Sequence, residues 1–159
     1  AEGFSTENAL YFARLSEIAY KSEDEAKVIL QGDGDTEHGM GFDHFRWFEV
    51  GCILGAVQDT EAYLVATDNV IIVVFRGTQE YPDWATNLNI TLLTPFGLSC
   101  LRQGFYNGVN TVWNEKGKER KLFITGHSLG GALATVTAAH LAFEQSLNIT
   151  AIYTYGSPR

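Results

Sequence analysis

Two apolar runs separated by a polar pair dominate the middle of the chain: Glu61-Ala62-Tyr63-Leu64-Val65-Ala66-Thr67, then Asp68-Asn69, then Val70-Ile71-Ile72-Val73-Val74-Phe75. β-Branched and aromatic side chains suit a pleated surface, and Asp68-Asn69 suits a tight turn, so the pattern predicts two strands joined directly. The second run is apolar at successive positions, as in a central strand covered on both faces. Leu122-Phe123-Ile124-Thr125 predicts another short buried strand and Ile149-Thr150-Ala151-Ile152-Tyr153-Thr154-Tyr155 a further one. Between them, Gly130 to about Gln145 is alanine-rich and reads as helix.

Elsewhere the period is helical. Ser5 or Thr6 can cap a helix running to about Lys21, with Tyr11, Leu15 and Ile18 on one face and Phe12 and Ala19 beside them. Phe105, Val109, Val112 and Trp113 have helical spacing over residues 105–115, whereas Gln31–Phe42, rich in glycine and acid, reads as a surface loop. Strand, helix, strand, helix, strand implies parallel pairing with right-handed crossovers. The fold class expected is therefore α/β, a mostly parallel sheet flanked by helices. With no repeat, low-complexity tract or linker, residues 1–159 read as one domain.

The bulk numbers narrow this picture only slightly. A chain of 159 residues that is 45% hydrophobic can bury a sizeable core. No run approaches the ~18 apolar residues of a membrane-spanning helix. Ala1-Glu2-Gly3-Phe4 carries no basic start of a signal peptide, and a processed secreted chain would look the same, so secreted and cytoplasmic locations both stand. The net charge of −8 is uneven: residues 1–83 hold sixteen acids against five bases, and residues 84–159 three against six. Such a protein repels phosphate backbones, which argues against nucleic acid as a partner and against tight docking on anionic membranes. The acidic run over residues 22–43 reads as a solubilising surface. Cys52 and Cys100 show no metal or redox spacing, and both a disulfide and two free thiols fit them. Asp33-Gly34-Asp35-Thr36-Glu37-His38-Gly39 has His38 where a calcium loop needs glycine, and His44 at its glutamate position, so no metal is expected there.

Candidate chemistry centres on Gly126-His127-Ser128-Leu129-Gly130. A serine hydroxyl becomes a useful nucleophile when it is held out, oriented and paired with a base. A sharp turn from strand to helix would put Ser128 at its most exposed point, provided that Gly126 and Gly130 carry no side chain to collide across the turn. The Leu129 N–H would open the helix, where unpaired donors and the positive dipole end favour a developing oxyanion. Gly131, Ala132 and Ala134 keep that helix thin. His127 points away from Ser128 and reads as a packing or orienting residue. A second turn, Phe75-Arg76-Gly77-Thr78, ends the central strand, and in α/β sheets such turns open on the same crevice. The Thr78 N–H and hydroxyl could supply further oxyanion donors.

Val74-Phe75-Arg76-Gly77-Thr78, Gly126 through Ala132 and Tyr155-Gly156-Ser157-Pro158-Arg159, in that order and spacing, are similar to the class 3 lipase family, the fungal-type triacylglycerol lipases. The resemblance implies an α/β-hydrolase fold with Ser128 as nucleophile, Thr78 and Leu129 as the oxyanion hole, and no metal or organic cofactor. Asp83-Trp84 and Asn87-Leu88 match the segment leading to the family's lid. Asn87 stands where some members have an aspartate that supports the oxyanion residue, and Arg102 where many have histidine.

What the family pattern demands next is an acid and then a histidine after the serine. Thirty-one residues follow Ser128, with Glu144 and His140 as the only candidates and no aspartate. Both lie on the helix leading away, and at ~1.5 Å per residue His140 stands about 18 Å along its axis from Ser128. His38 and His44 precede the serine, against the family's order. The chain also stops on an apolar strand with nothing to cover its edge. The expectation is an N-terminal part of a lipase whose C-terminal strands, aspartate and histidine come from a second polypeptide or from downstream residues.

The leading function is hydrolysis of an acyl-lipid ester, with transient contact at a lipid interface. The apolar Thr91-Leu92-Leu93-Thr94-Pro95-Phe96-Gly97-Leu98 fits a lid or acyl groove and equally a packed loop. The same residues would serve a phospholipase A1 or a feruloyl esterase. The rival from another class is a non-catalytic acyl-lipid-binding protein that keeps the pocket without base and acid.

Overall fold

A computed structural model of the chain describes residues 5–34, 38–50, 60–77, 107–109, 111–112 and 120–158. Helices α1 (Thr6–Ile18) and α2 (Glu23–Gln31) lead into strands β1 (His44–Val50), β2 (Thr60–Ala66), β3 (Val70–Phe75) and β4 (Lys121–His127). Helix α3 (Leu129–Gln145) and strand β5 (Ile149–Tyr155) follow. The strands form one sheet in the order β1-β2-β3-β4-β5. β1, β2 and β3 run antiparallel in succession, and β3, β4 and β5 are parallel. The α/β reading holds, with the parallel strands carrying the candidate site and an antiparallel hairpin extending the sheet on the β3 side.

Alternation along β3 explains its continuous apolar run. Ile71, Val73 and Phe75 face one core cluster together with Leu64, Leu122, Ile124 and the α3 residues Leu133, Ala134, Ala138 and Leu141. Ile72 and Val74 face the other, with Phe12, Leu15, Ile18, Ala26, Leu30 and Tyr63. Each large apolar side chain so buried contributes roughly 1.5–3 kcal/mol. Val109 and Val112 join the α3-side cluster, and residues 107–109 and 111–112 are helical, as their spacing predicts.

Helix α1 is capped by Ser5, whose side chain accepts from the Asn8 N–H. It ends at Ile18 rather than Lys21, tightening into Tyr20 N–H to Glu17 O and Lys21 N–H to Ile18 O bonds. Its buried stripe is Phe12, Leu15, Ser16 and Ile18; Tyr11, expected on that face, is 38% exposed. Ser16 takes the position instead because its hydroxyl, within 3.0 Å of Phe12 O and 3.1 Å of Thr125 Oγ1, is satisfied where it is buried. Tyr63 donates to Leu15 O at 2.6 Å and Tyr155 to Ala9 O, so α1 is bonded to the sheet along its length.

Two elements escape the pattern reading. The acidic run contains α2, opened by a capping box between Ser22 and Glu25, with Glu23, Asp24 and Glu25 in its first turn. Acids there suit the positive end of the helix dipole, so charge that reads as solubilising also starts a helix. The described residues that follow, 32–34 and 38–43, are tied by Met40 N–H to Ile29 O and Asp43 N–H to Ala66 O. β1 was hidden because His44-Phe45-Arg46-Trp47 mixes charge with aromatics, yet it pairs with β2 from His44–Ala66 to Val50–Thr60.

Candidate active site

β4 continues two residues past its apolar run, through Gly126 and His127, and the chain then reverses into α3 at Ser128. Ser128 has φ 57° and ψ −128°. A non-glycine residue held at such angles costs on the order of 1–3 kcal/mol, which the surrounding contacts must offset. The Ser128 N–H donates to Tyr155 O at 2.8 Å, and Gly131 N–H donates to Ser128 O at 2.9 Å. Although Ser128 stands at the helix N-cap, its side chain makes no capping hydrogen bond.

The glycines behave as the turn requires. A Cβ on Gly126 would overlap the Gly130 carbonyl, and a Cβ on Gly130 would overlap the Phe75 carbonyl. With a side chain at either position, α3 could not start this close to the ends of β3 and β4. Ala134 is fully buried, in keeping with a thin first turn and a half.

One geometric expectation is corrected. Ser128 is 6% exposed, not the most exposed point of the turn; His127 beside it is the exposed residue. The Arg76-Gly77 segment lies against the serine: a Cβ on buried Gly77 would stand 3.1 Å from Ser128 Cβ. The ends of β3 and β4 thus meet, as the parallel pairing of Phe75 with Gly126 demands.

Leu129 is the first residue of α3 and is 5% exposed. N–H groups of a first helical turn have no carbonyl four residues back. Thr78 lies outside the described residues, as do Asp83, Trp84, Asn87, Arg102, both cysteines and the apolar segment 91–98. His127 Nδ1 is 2.9 Å from Tyr20 Oη, with the rings edge to face, and its Nε2 faces Gly156. Tyr20 therefore belongs to the site, though nothing in its sequence neighbourhood points there, because the two residues are 107 positions apart. Arg76 lies over the Tyr20 ring at 5.9 Å and forms an ion pair with Glu61.

The other histidines are not brought to the serine. His140 is on α3, whose helical path runs unbroken from Leu129 to Gln145. His44 pairs with Ala66, which pairs with Ile71, at the end of the sheet opposite Phe75 and Ser128. His38 bridges Gly32 in the connection after α2. Among the described residues no group of three His, Cys, Asp or Glu gathers as metal ligands, and no helix is long and apolar enough to cross a membrane.

Comparison with known proteins bears on the same segment. The family model Lipase (class 3) matches residues 72–159. A secreted mono- and diacylglycerol lipase of Fusarium solani is 37% identical over 131 residues, covering 69% of this chain and 37% of that protein. The lipase of Rhizomucor miehei is 30% identical over 120 residues, covering 65% of this chain and 33% of that protein. Among solved structures, the Rhizomucor miehei lipase propeptide complex has a TM-score of 0.67 at 23% identity, covering 99% of this chain and 55% of that one. A lipase from Rhizopus microsporus var. chinensis has a TM-score of 0.63 at 22% identity, covering 96% and 57%. The structural likeness carries the fold, that of the α/β-hydrolase lipases; the chain spans little more than a third of the length of the curated relatives it matches. That match runs from within the central strand through the serine turn to Arg159, and the chain belongs to the class 3 lipase family.

Proposed function

We propose that the protein carrying this chain hydrolyses carboxylic esters of acyl lipids through an acyl-enzyme at Ser128. The observation that carries the reading is the strained backbone of Ser128 at a strand-to-helix reversal, with its hydroxyl left out of helix capping. A capping serine would spend its oxygen on the α3 backbone, whereas this one is free to attack. In the reaction, Ser128 Oγ bonds to the carbonyl carbon while its proton passes to a general base. The oxyanion accepts hydrogen bonds from the N–H groups of Leu129 and Thr78, each such donor being worth about 2.7–4 kcal/mol in the transition state. Collapse expels the alcohol, and water then releases the acid and restores the serine. Neither His140 nor His44 is brought to Ser128 to act as that base. Because the Fusarium solani relative is a mono- and diacylglycerol lipase, partial glycerides are the first substrates to assay.

A second reading, an acyl-lipid-binding protein without catalysis, draws on the low exposure of Ser128. A fluorophosphonate probe separates the two, because it labels only an activated serine. The complete folded protein is expected to be labelled at Ser128 and Ser128→Ala to be silent; no labelling of the folded wild type would leave the binding protein.

A further inference from the structure

We infer that Tyr20 is a positioning residue for Ser128, acting through His127; the inference rests on the ester-hydrolase reading above. Tyr20 sits where the two turns of the site meet. Its hydroxyl is 2.9 Å from His127 Nδ1, on the residue that precedes the serine. The same hydroxyl closes over Gly77, where an added Cβ would collide with it, and Gly77 abuts Ser128 Cβ. Its ring underlies the Arg76 guanidinium at 5.9 Å, and Arg76 is held by Glu61 through both its side chain and its N–H, the latter bonded to Glu61 O at 2.9 Å. One phenol thus touches the turn that leads to Thr78 and the turn that carries Ser128.

The support behind Tyr20 is rigid. α1 is fastened by Tyr63 to Leu15 O, Tyr155 to Ala9 O and Ser16 to Thr125. Its last turn then tightens to set the Tyr20 backbone. The Ser128 backbone, by contrast, is in a conformation that L-residues avoid and that relaxes unless its neighbours hold it. His127 is exposed, and its ring is met by Tyr20, through the bond and an edge-to-face contact, and by Gly156. That bond serves whichever of the two atoms donates the proton. Holding a reacting group within about 0.5 Å of its working position demands such fixed outer contacts.

In the complete protein, Tyr20→Phe keeps the ring over Gly77 and beneath Arg76 and removes only the hydroxyl. The expected result on a short soluble ester is a fall in kcat of about tenfold with KM within about twofold, matched by the same fall in fluorophosphonate labelling rate. Because Tyr20 acts through His127, Tyr20→Phe should add nothing to His127→Leu in the double variant. His127→Asn, whose amide falls near the Nδ1 position, should keep more activity than His127→Leu. Unchanged kcat and labelling in Tyr20→Phe, or losses that multiply in the double variant, would overturn the inference. If Tyr20→Phe does not fold, equal rates for His127→Asn and His127→Leu overturn it as well. A wild type that neither labels nor hydrolyses removes the ester-hydrolase reading itself, and this inference with it.

Discussion

On the α3 side of the sheet the cover is small and aliphatic: Leu133, Ala134, Ala138 and Leu141 lie on Leu64, Ile71, Val73, Leu122 and Ile124. On the α1 side the contact residues carry hydroxyl groups, and Tyr63, Tyr155, Ser16 and Thr125 bond helix to strands while Phe12 stacks on Tyr153 at 4.6 Å. Apolar contact is non-directional, so it governs how near α3 comes and leaves the rest to the glycines at Gly126 and Gly130. Hydrogen bonds are directional, and on the α1 side they fix where the helix ends and hence where Tyr20 stands. The site draws on both: one face supplies a close helix start at Ser128, the other a clamp on the residue before it.

The comparison breaks most visibly in the cores. Leu15→Ala on the α1 side and Leu141→Ala on the α3 side should each cost about 2–5 kcal/mol in denaturant unfolding of the complete protein, since both leave a cavity at fully or almost fully buried positions. Equal losses would show that the faces differ in polarity and not in how apolar burial stabilises them. Gly130→Ala should cost less stability, about 1–3 kcal/mol, but should depress Ser128 labelling far more than Leu141→Ala does, because its Cβ meets the Phe75 carbonyl at the site itself. Labelling that falls only in step with stability would count against a special role for that close approach.

The smallest effect belongs to the polar face. Tyr63→Phe should cost about 0.5–1.5 kcal/mol, as Leu15 O keeps its bond from the Ala19 N–H. Burial, with Tyr11 nearby, pushes the Tyr63 phenol well above the usual tyrosine range. Above about pH 10 the unfolded chain gives up this proton while the folded one retains it, so stability should fall as pH rises, by at most about 1.4 kcal/mol per unit for this group. Unfolding measured between neutral and alkaline pH should show a shallower decline in Tyr63→Phe; identical slopes would mean that other groups govern alkaline unfolding.

Much of this was legible because it depends on local pattern. The run Val70 to Phe75 could only be a strand covered on both faces, and Gly126 and Gly130 flanking Ser128 announced a turn that tolerates no side chains. β1 and α2 were not legible. Arg46 and His44 interrupt the apolar alternation of β1, and the charge opening α2 serves equally for solubility and for capping. Ser16 takes the buried place expected of Tyr11 because a hydroxyl can be buried wherever a carbonyl and a second hydroxyl lie in reach, and those partners come from Phe12 and Thr125.

The sequence by itself determined the α/β class, the strand-turn-helix around Ser128 and the family to which the chain belongs, since spacing along the chain is enough to specify each. Only the tertiary structure decided that Gly77 lies against Ser128, that His44 lies at the far end of the sheet and that Tyr20 reaches His127. Those relations join residues tens of positions or more apart. They follow from which strands pair and how one helix is bonded to the sheet, and spacing within a single segment carries no trace of either.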